Sequence, residues 1–129
     1  MTNKEIYQGA LSLLAESFDE DRLSDYAERA PYIIANFISE NAALDGSYRA
    51  FRGEKATAVS CRVYAALDDA FPLSARFASA AEYYLASMLI DEEDTDRADG
   101  FFDRYCAALA AILAEIPAMR EKIVSAYGI

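Results

Sequence analysis

With 129 residues, 54% of them hydrophobic and 26% charged, the chain has the composition of one folded globular domain and can bury a core without disulfides or metal. Twenty-two acidic residues against 12 basic ones leave a net charge of -10, which a phosphate backbone repels, so specific nucleic-acid binding is not expected. There is no histidine or tryptophan and neither GxGxxG nor GxxxxGK[ST], which excludes His-dependent nucleophiles, His-containing zinc sites and the usual phosphate cradles.

Thr2 followed by Glu5 makes a capping box, and Ile6, Ala10, Leu13 and Leu14 recur on one face, so a first helix is expected from about Asn3 to Ser17. The acidic stretch Asp19-Glu20-Asp21 should end it. A second helix is expected to start at Ser24 or Asp25, with Glu28 three residues after Asp25. Tyr26, Ala30, Ile33, Ile34 and Phe37 keep helical spacing toward Leu44, with Pro31 set to kink or restart the helix and Asp45-Gly46 to close it. Residues 47–71 read as irregular. Val59, Cys61 and Val63 alternate with Ser60 and Arg62, as in a short exposed strand, whereas Tyr48, Phe51 and Tyr64 could belong to a helical turn. Pro72 suits the start of a third helix carrying Phe77, Ala81, Tyr84, Leu85, Met88 and Leu89. After the polar turn 91–96 a fourth helix carries Phe101, Tyr105, Ala108, Leu109, Ile112 and Leu113, and so short a connection makes the two antiparallel. Pro117 breaks it, and 118–127 form a short last helix closed by Gly128. The expected fold is therefore all-α: one domain over 1–129, an antiparallel bundle of four main helices plus a short C-terminal one, with an irregular loop or arm at about 47–66.

Cys61 and Cys106 lack CxxC spacing, and the start of the chain has no apolar signal-peptide core, so two buried or half-buried free thiols are expected. No stretch approaches 18 uninterrupted apolar residues, and no membrane span is expected.

The acidic run from Asp91 to Asp99 fails as an EF-hand loop, since its sixth position is Asp96 and its twelfth Phe102, where calcium needs Gly and Glu. Capping and dipole stabilisation explain the acids instead. Asp25/Glu28, Glu93/Asp96 and Asp96/Asp99 have the spacing of dimetal carboxylate pairs, but they fall at helix ends and turns, outside the apolar stripes. Glu82, the one acid mid-helix in the third helix, has no acidic helical neighbour. The adjacent pairs Tyr83-Tyr84 and Phe101-Phe102 point about 100° apart, so either one ring of each faces outward as interface tyrosines do, or a wide apolar arc buries both. No metal site, cofactor or catalytic residue is expected.

The stretches 67–77 (LDDAFPLSARF), 80–90 (AAEYYLASMLI), 91–94 (DEED), 98–105 and 26–31 (YAERAP) resemble the small all-helical head–tail connector, or adaptor, proteins of long-tailed phages and prophages. The likeness covers about two-thirds of the chain and lies in the layout: a D-x-x-F-P-L-x-x-R-F lead-in, a helix with Tyr-Leu-Ala, an acidic turn, then a helix with an aromatic and a Tyr. It implies a structural, non-enzymatic protein that assembles as an oligomeric ring between portal and tail. Its partners would be itself, the portal and tail-completion proteins, with the isolated chain able to be a monomer. The implied location is the bacterial cytoplasm during assembly and then the virion head–tail junction. The alternatives from other classes are a carboxylate-dependent metal hydrolase acting on nucleotides, which would need Mg²⁺ or Mn²⁺, and a small acidic bacterial adaptor with a basic partner. Arg49, Phe51, Arg52, Lys55 and Arg62 are the candidate subunit or partner contacts. The four cations are a third of the chain's basic residues, and complementary potentials could steer them to an acidic face of a neighbouring copy.

Overall fold

A computed structural model describes residues 1–55 and 58–116, and among them the chain is all-helical: α1 (Asn3–Leu14), α2 (Glu20–Phe51), α3 (Ala78–Ile90) and α4 (Thr95–Ala114), with a 3₁₀ turn Ala75–Phe77 leading into α3. The short helix expected over 118–127 lies outside the described residues.

The starts of α1, α2, α4 and the 3₁₀ turn each use a side-chain oxygen to hold a backbone N–H that the helix itself leaves without a partner, while α3 continues from that turn without a side-chain cap of its own. Thr2 accepts from the N–H of Glu5, Asp19 from Arg22, Ser74 from Arg76 and Asp94 from Arg97. Asp19 corrects the expected start of α2 at Ser24 or Asp25. The acids read as a terminator are its cap and first turn, where negative charge complements the helix dipole. α1 stops at Leu14 rather than Ser17, because Ala15 turns left-handed (φ 51°) and returns its N–H to the carbonyl of Ser12.

α2 is one continuous helix of 32 residues, about 48 Å long. Pro31 neither restarts nor ends it; its carbonyl accepts a bond from Ala65 N–H at 3.0 Å. Asp45-Gly46 does not close it either, because the Asp45 side chain turns inward and is used in packing. The stop is Gly53 at φ 72°, whose N–H returns to Ala50 while Glu54 N–H returns to Arg49, the paired bonds of a Schellman close. These two glycines therefore respond oppositely to alanine. A Cβ on helical Gly46 meets nothing within 4 Å, so Gly46→Ala should stabilise by about 0.5–1 kcal/mol. Gly53→Ala puts a Cβ on a left-handed residue and should cost about 1–2 kcal/mol. Urea midpoints of the two variants check this, and shifts of the same sign would show that Gly53 is not the stop.

α3 has apolar or small residues on every side, with Ser79 its one exposed residue. A helix of that kind needs cover all round, and α1, α2 and α4 each pack against it. Arg76 meets Glu115, Tyr84 meets Tyr105 and Ser87 Oγ donates to Ala98 O at 2.8 Å, so α3 and α4 are antiparallel as expected. α2 also runs against α3, with Tyr26 by Glu93, Phe37 by Tyr84 and Tyr48 by Phe77. α2 presents Tyr26, Ala30, Ile34, Phe37, Asn41 and Tyr48 at helical spacing to do so. Phe37 is the hub of the aromatic core, its ring centroid 5.8 Å from Tyr84, 5.9 Å from Tyr105 and 6.3 Å from Phe71.

The chain between α2 and α3 is an arm, without the expected strand among its described residues. From α2's far end it runs back along that helix, exchanging bonds at Ser39 (Arg62 N–H to Oγ, 3.0 Å) and at Pro31. It then straps the start of α1. Asn3 Nδ2 donates to Ala66 O, Asn3 and Lys4 N–H donate to Asp69 O and Leu67 O, and Phe71 N–H donates to Met1 O. Phe71 and Leu73 plug the core, and Pro72 lies ahead of the Ser74 cap, not in the helix. Cys61 on the arm and Cys106 on α4 are free, but both are exposed, which corrects their expected burial.

Candidate functional site

The residues singled out for partner contact divide between two places. Arg49 and Arg52, in the last turn and cap of α2, line an open cavity of about 500 Å³ together with Tyr48, Glu54, Leu73, Ser74 and Arg76. Phe51 and Lys55 are exposed beside it. Arg62 is not there. It packs at Ser39, twelve residues back from Phe51 along α2 and so about 18 Å away, with its Nε on Ser60 O. Arg76, which sequence spacing leaves unconnected to the arm, completes the cavity because it opens the turn that Asp45 holds.

Asp45 builds this corner. Its carboxylate is 1% exposed and accepts from Arg49 Nε at 2.9 Å and from the backbone N–H of Ser74 at 2.9 Å, while Arg49 Nη2 reaches Pro72 O. The end of α2 is thereby fixed to the start of α3. Arg52 is held loosely, 5.8 Å over the Tyr48 ring and 3.4 Å from Glu54, whereas Arg76 donates from Nε at 2.9 Å and lies at 2.8 Å through Nη2, both to Glu115 Oε1. Each arginine carries five N–H donors, so donors remain for an incoming acid.

The opposite end of the bundle is acidic. Residues 16–29 hold six acids and two bases and residues 91–99 six acids and one base, so this end carries nine of the chain's ten net negative charges. At its centre Tyr26 donates to Glu93 at 2.6 Å and Arg22 pairs with the same carboxylate. Arg22 first, then Tyr26, hold Glu93 below the usual carboxylate range; burial, then Glu93, push Tyr26 up to about 12. The signs are opposite at the two ends of the pH scale. Glu93's contribution is present above the ordinary carboxylate pKa and is lost as acid titrates the folded group. Tyr26's is present below pH 10 and is lost as pH rises from 10 toward 12, together with that of buried Tyr84, also near 12. Urea midpoints against pH should therefore fall at both extremes. Tyr26→Phe should flatten the alkaline limb and raise the early fraction of phenolate absorbance; an unchanged limb would assign the loss elsewhere.

Among the expected pairs, Tyr84 and Phe101 are buried while Tyr83 is half-buried and Phe102 is 39% exposed, so one ring of each pair turns outward. Glu82 lies half-buried against Gly9 of α1, where burial raises its carboxyl pKa. Among the described residues no three acids or cysteines gather as a metal set. A second open cavity of about 320 Å³ lies between α1 and α4, with Arg97 and Arg104 both over the Phe101 ring and Arg97 bound to Glu16. No described helix is long and apolar enough to cross a membrane. No family model, curated protein or solved structure matches the chain.

Proposed function

We propose that the chain is a structural assembly protein of the head–tail connector kind, acting through protein–protein contacts between portal and tail. The observation that carries this reading is where the molecule spends its large apolar and cationic side chains. On the arm Val63 is 79% and Tyr64 54% exposed, and Tyr64 stacks edge-on with Tyr32 of α2, itself 51% exposed, at 5.1 Å. Arginine and tyrosine left in solvent on one excursion suit an interface, where both are enriched. The layout likeness over 67–105 supports the same reading.

Two measurements test it. In its genome the coding sequence should lie between portal or capsid genes and tail genes, and the purified chain should bind the portal protein encoded beside it. A Tyr32→Ser/Tyr64→Ser variant should weaken that binding by at least about tenfold with unchanged circular dichroism, since interface tyrosines carry about 2 kcal/mol each. A neighbourhood without virion genes, or no binding to the neighbouring portal protein, overturns the proposal.

A further inference from the structure

The two ends of the bundle are chemically complementary, and they are separated by the length of α3, about 20 Å. One end holds three arginines around an open cavity; residues 46–55 beside it carry three bases, Arg49, Arg52 and Lys55, and one acid, Glu54. At the other end the turn 91–94 projects between α3 and α4, and every residue from Asp91 to Asp96 is exposed. Within it Glu93 is committed to Arg22 and Tyr26, and Asp94 caps α4. Asp91 and Glu92 make no ion pair among the described residues. A chain of net charge -10 repels its own copies at long range, but screening confines that repulsion to about 8–10 Å at ordinary salt, so what meets at contact decides.

We propose that the arginine-lined cavity receives the acidic turn of a second copy of this chain, with Asp91 and Glu92 facing Arg52 and Arg76, so that copies join head to tail. The inference rests on the assembly reading above and names the contact that would serve it. Of the cavity's existing pairs, Arg76 engages Glu115 through Nε and Nη2 and has further N–H donors to offer. Arg52 and Glu54 are both about half exposed at 3.4 Å, a pair that contributes little and is readily exchanged for a fork-on-carboxylate contact. The acidic end cannot dock on another acidic end, so the contact is heterologous: each copy uses one surface to receive and a different one to insert. Repetition then closes a ring where the rotation allows and otherwise extends a filament.

Charge exchange tests the contact directly. The pocket variant Arg52→Glu/Arg76→Glu and the turn variant Asp91→Lys/Glu92→Lys leave Asp45 and Arg49 in place, and circular dichroism with urea midpoints verifies that each is folded. A milder Arg52→Gln/Arg76→Gln pocket replaces the first if it is not. In sedimentation velocity at low salt the intact chain should self-associate, and the association should fade between about 0.05 M and 0.5 M salt. Each reversed variant alone should weaken association at least about tenfold, because like charges then meet across the contact. An equimolar mixture of the two reversed variants should restore it, since each acidic turn again finds a basic cavity and each basic turn an acidic one. With the glutamine pocket, the mixture should stop at a pair, because the lysine turn then has no cavity to enter. An intact chain that stays monomeric, or reversed variants that associate as well as it does, overturns the proposal. Undiminished association of the variants would leave the connector reading standing with a different contact. Restored association without portal binding would retain the contact and remove the connector reading.

Discussion

Phe37→Ala should be the most damaging single truncation in the molecule, costing about 3–5 kcal/mol of unfolding free energy. The ring is 1% exposed and sits where α2, α3, α4 and the arm converge, against Tyr84, Tyr105 and Phe71. Neighbours on three other segments cannot all move in to fill the gap, so the lost transfer energy and the cavity add. Asn41 Nδ2 bridges the Phe37 carbonyl and the Tyr105 hydroxyl, which further restrains collapse around the site. Urea or thermal unfolding measures the loss. Phe37→Leu, nearer in volume, should lose markedly less; a Phe37→Ala cost below about 1.5 kcal/mol would show that the hub is not the centre of the core.

Asp45→Ala should cost about 3–5 kcal/mol by a different mechanism, because it leaves the half-buried Arg49 guanidinium without its counter-charge and the Ser74 N–H without an acceptor. The damage should be local as well as global. Amide exchange should accelerate across 72–77, where the end of the arm is fixed to α2 through this carboxylate. Removing both charges as Asp45→Ala/Arg49→Met should recover part of the loss, since an apolar pair strands no charge. A double variant no more stable than Asp45→Ala would mean that the Ser74 bond, not the ion pair, carries the energy.

The helices were legible where apolar spacing and a cap agreed. Thr2 and Glu5 announce α1, and the short polar turn 91–96 announces the antiparallel α3–α4 pair. At Asp45 a polar residue's local tendency is overridden by a partner distant in sequence. Asp45-Gly46 has the chemistry of a turn, yet Asp45 finds Arg49 and Ser74, and the helix continues to a glycine whose positive φ leaves no trace in composition. Asp19 has the chemistry of a cap, but without an apolar stripe directly after it the next caps along, Ser24 and Asp25, are equally good by sequence. The arm's alternation at Val59, Cys61 and Val63 signals extended chain, and what pairs with it is a helix side chain and the first residues of α1, not a strand. Of the candidate contacts, Arg49 and Arg52 share a cavity because they are three apart on one helix end. Arg62 leaves them because the arm doubles back. Arg76 joins them through tertiary packing alone, which no spacing in 49–62 could indicate.

The strap over the first helix bears on the order in which this protein can fold as it is made. α1 is held by Ala66, Leu67, Asp69 and Phe71 and packs on α3, whereas its contact with the next helix in sequence is slight. A ribosome adding about 5–20 residues per second delivers α3 several seconds after α1 has emerged. Through that interval Ile6, Tyr7, Ala10 and Leu14 lack the α3 surface that α1 packs against. The acidic run 19–21, next to emerge, should then oppose association of nascent copies by like-charge repulsion while that apolar face waits.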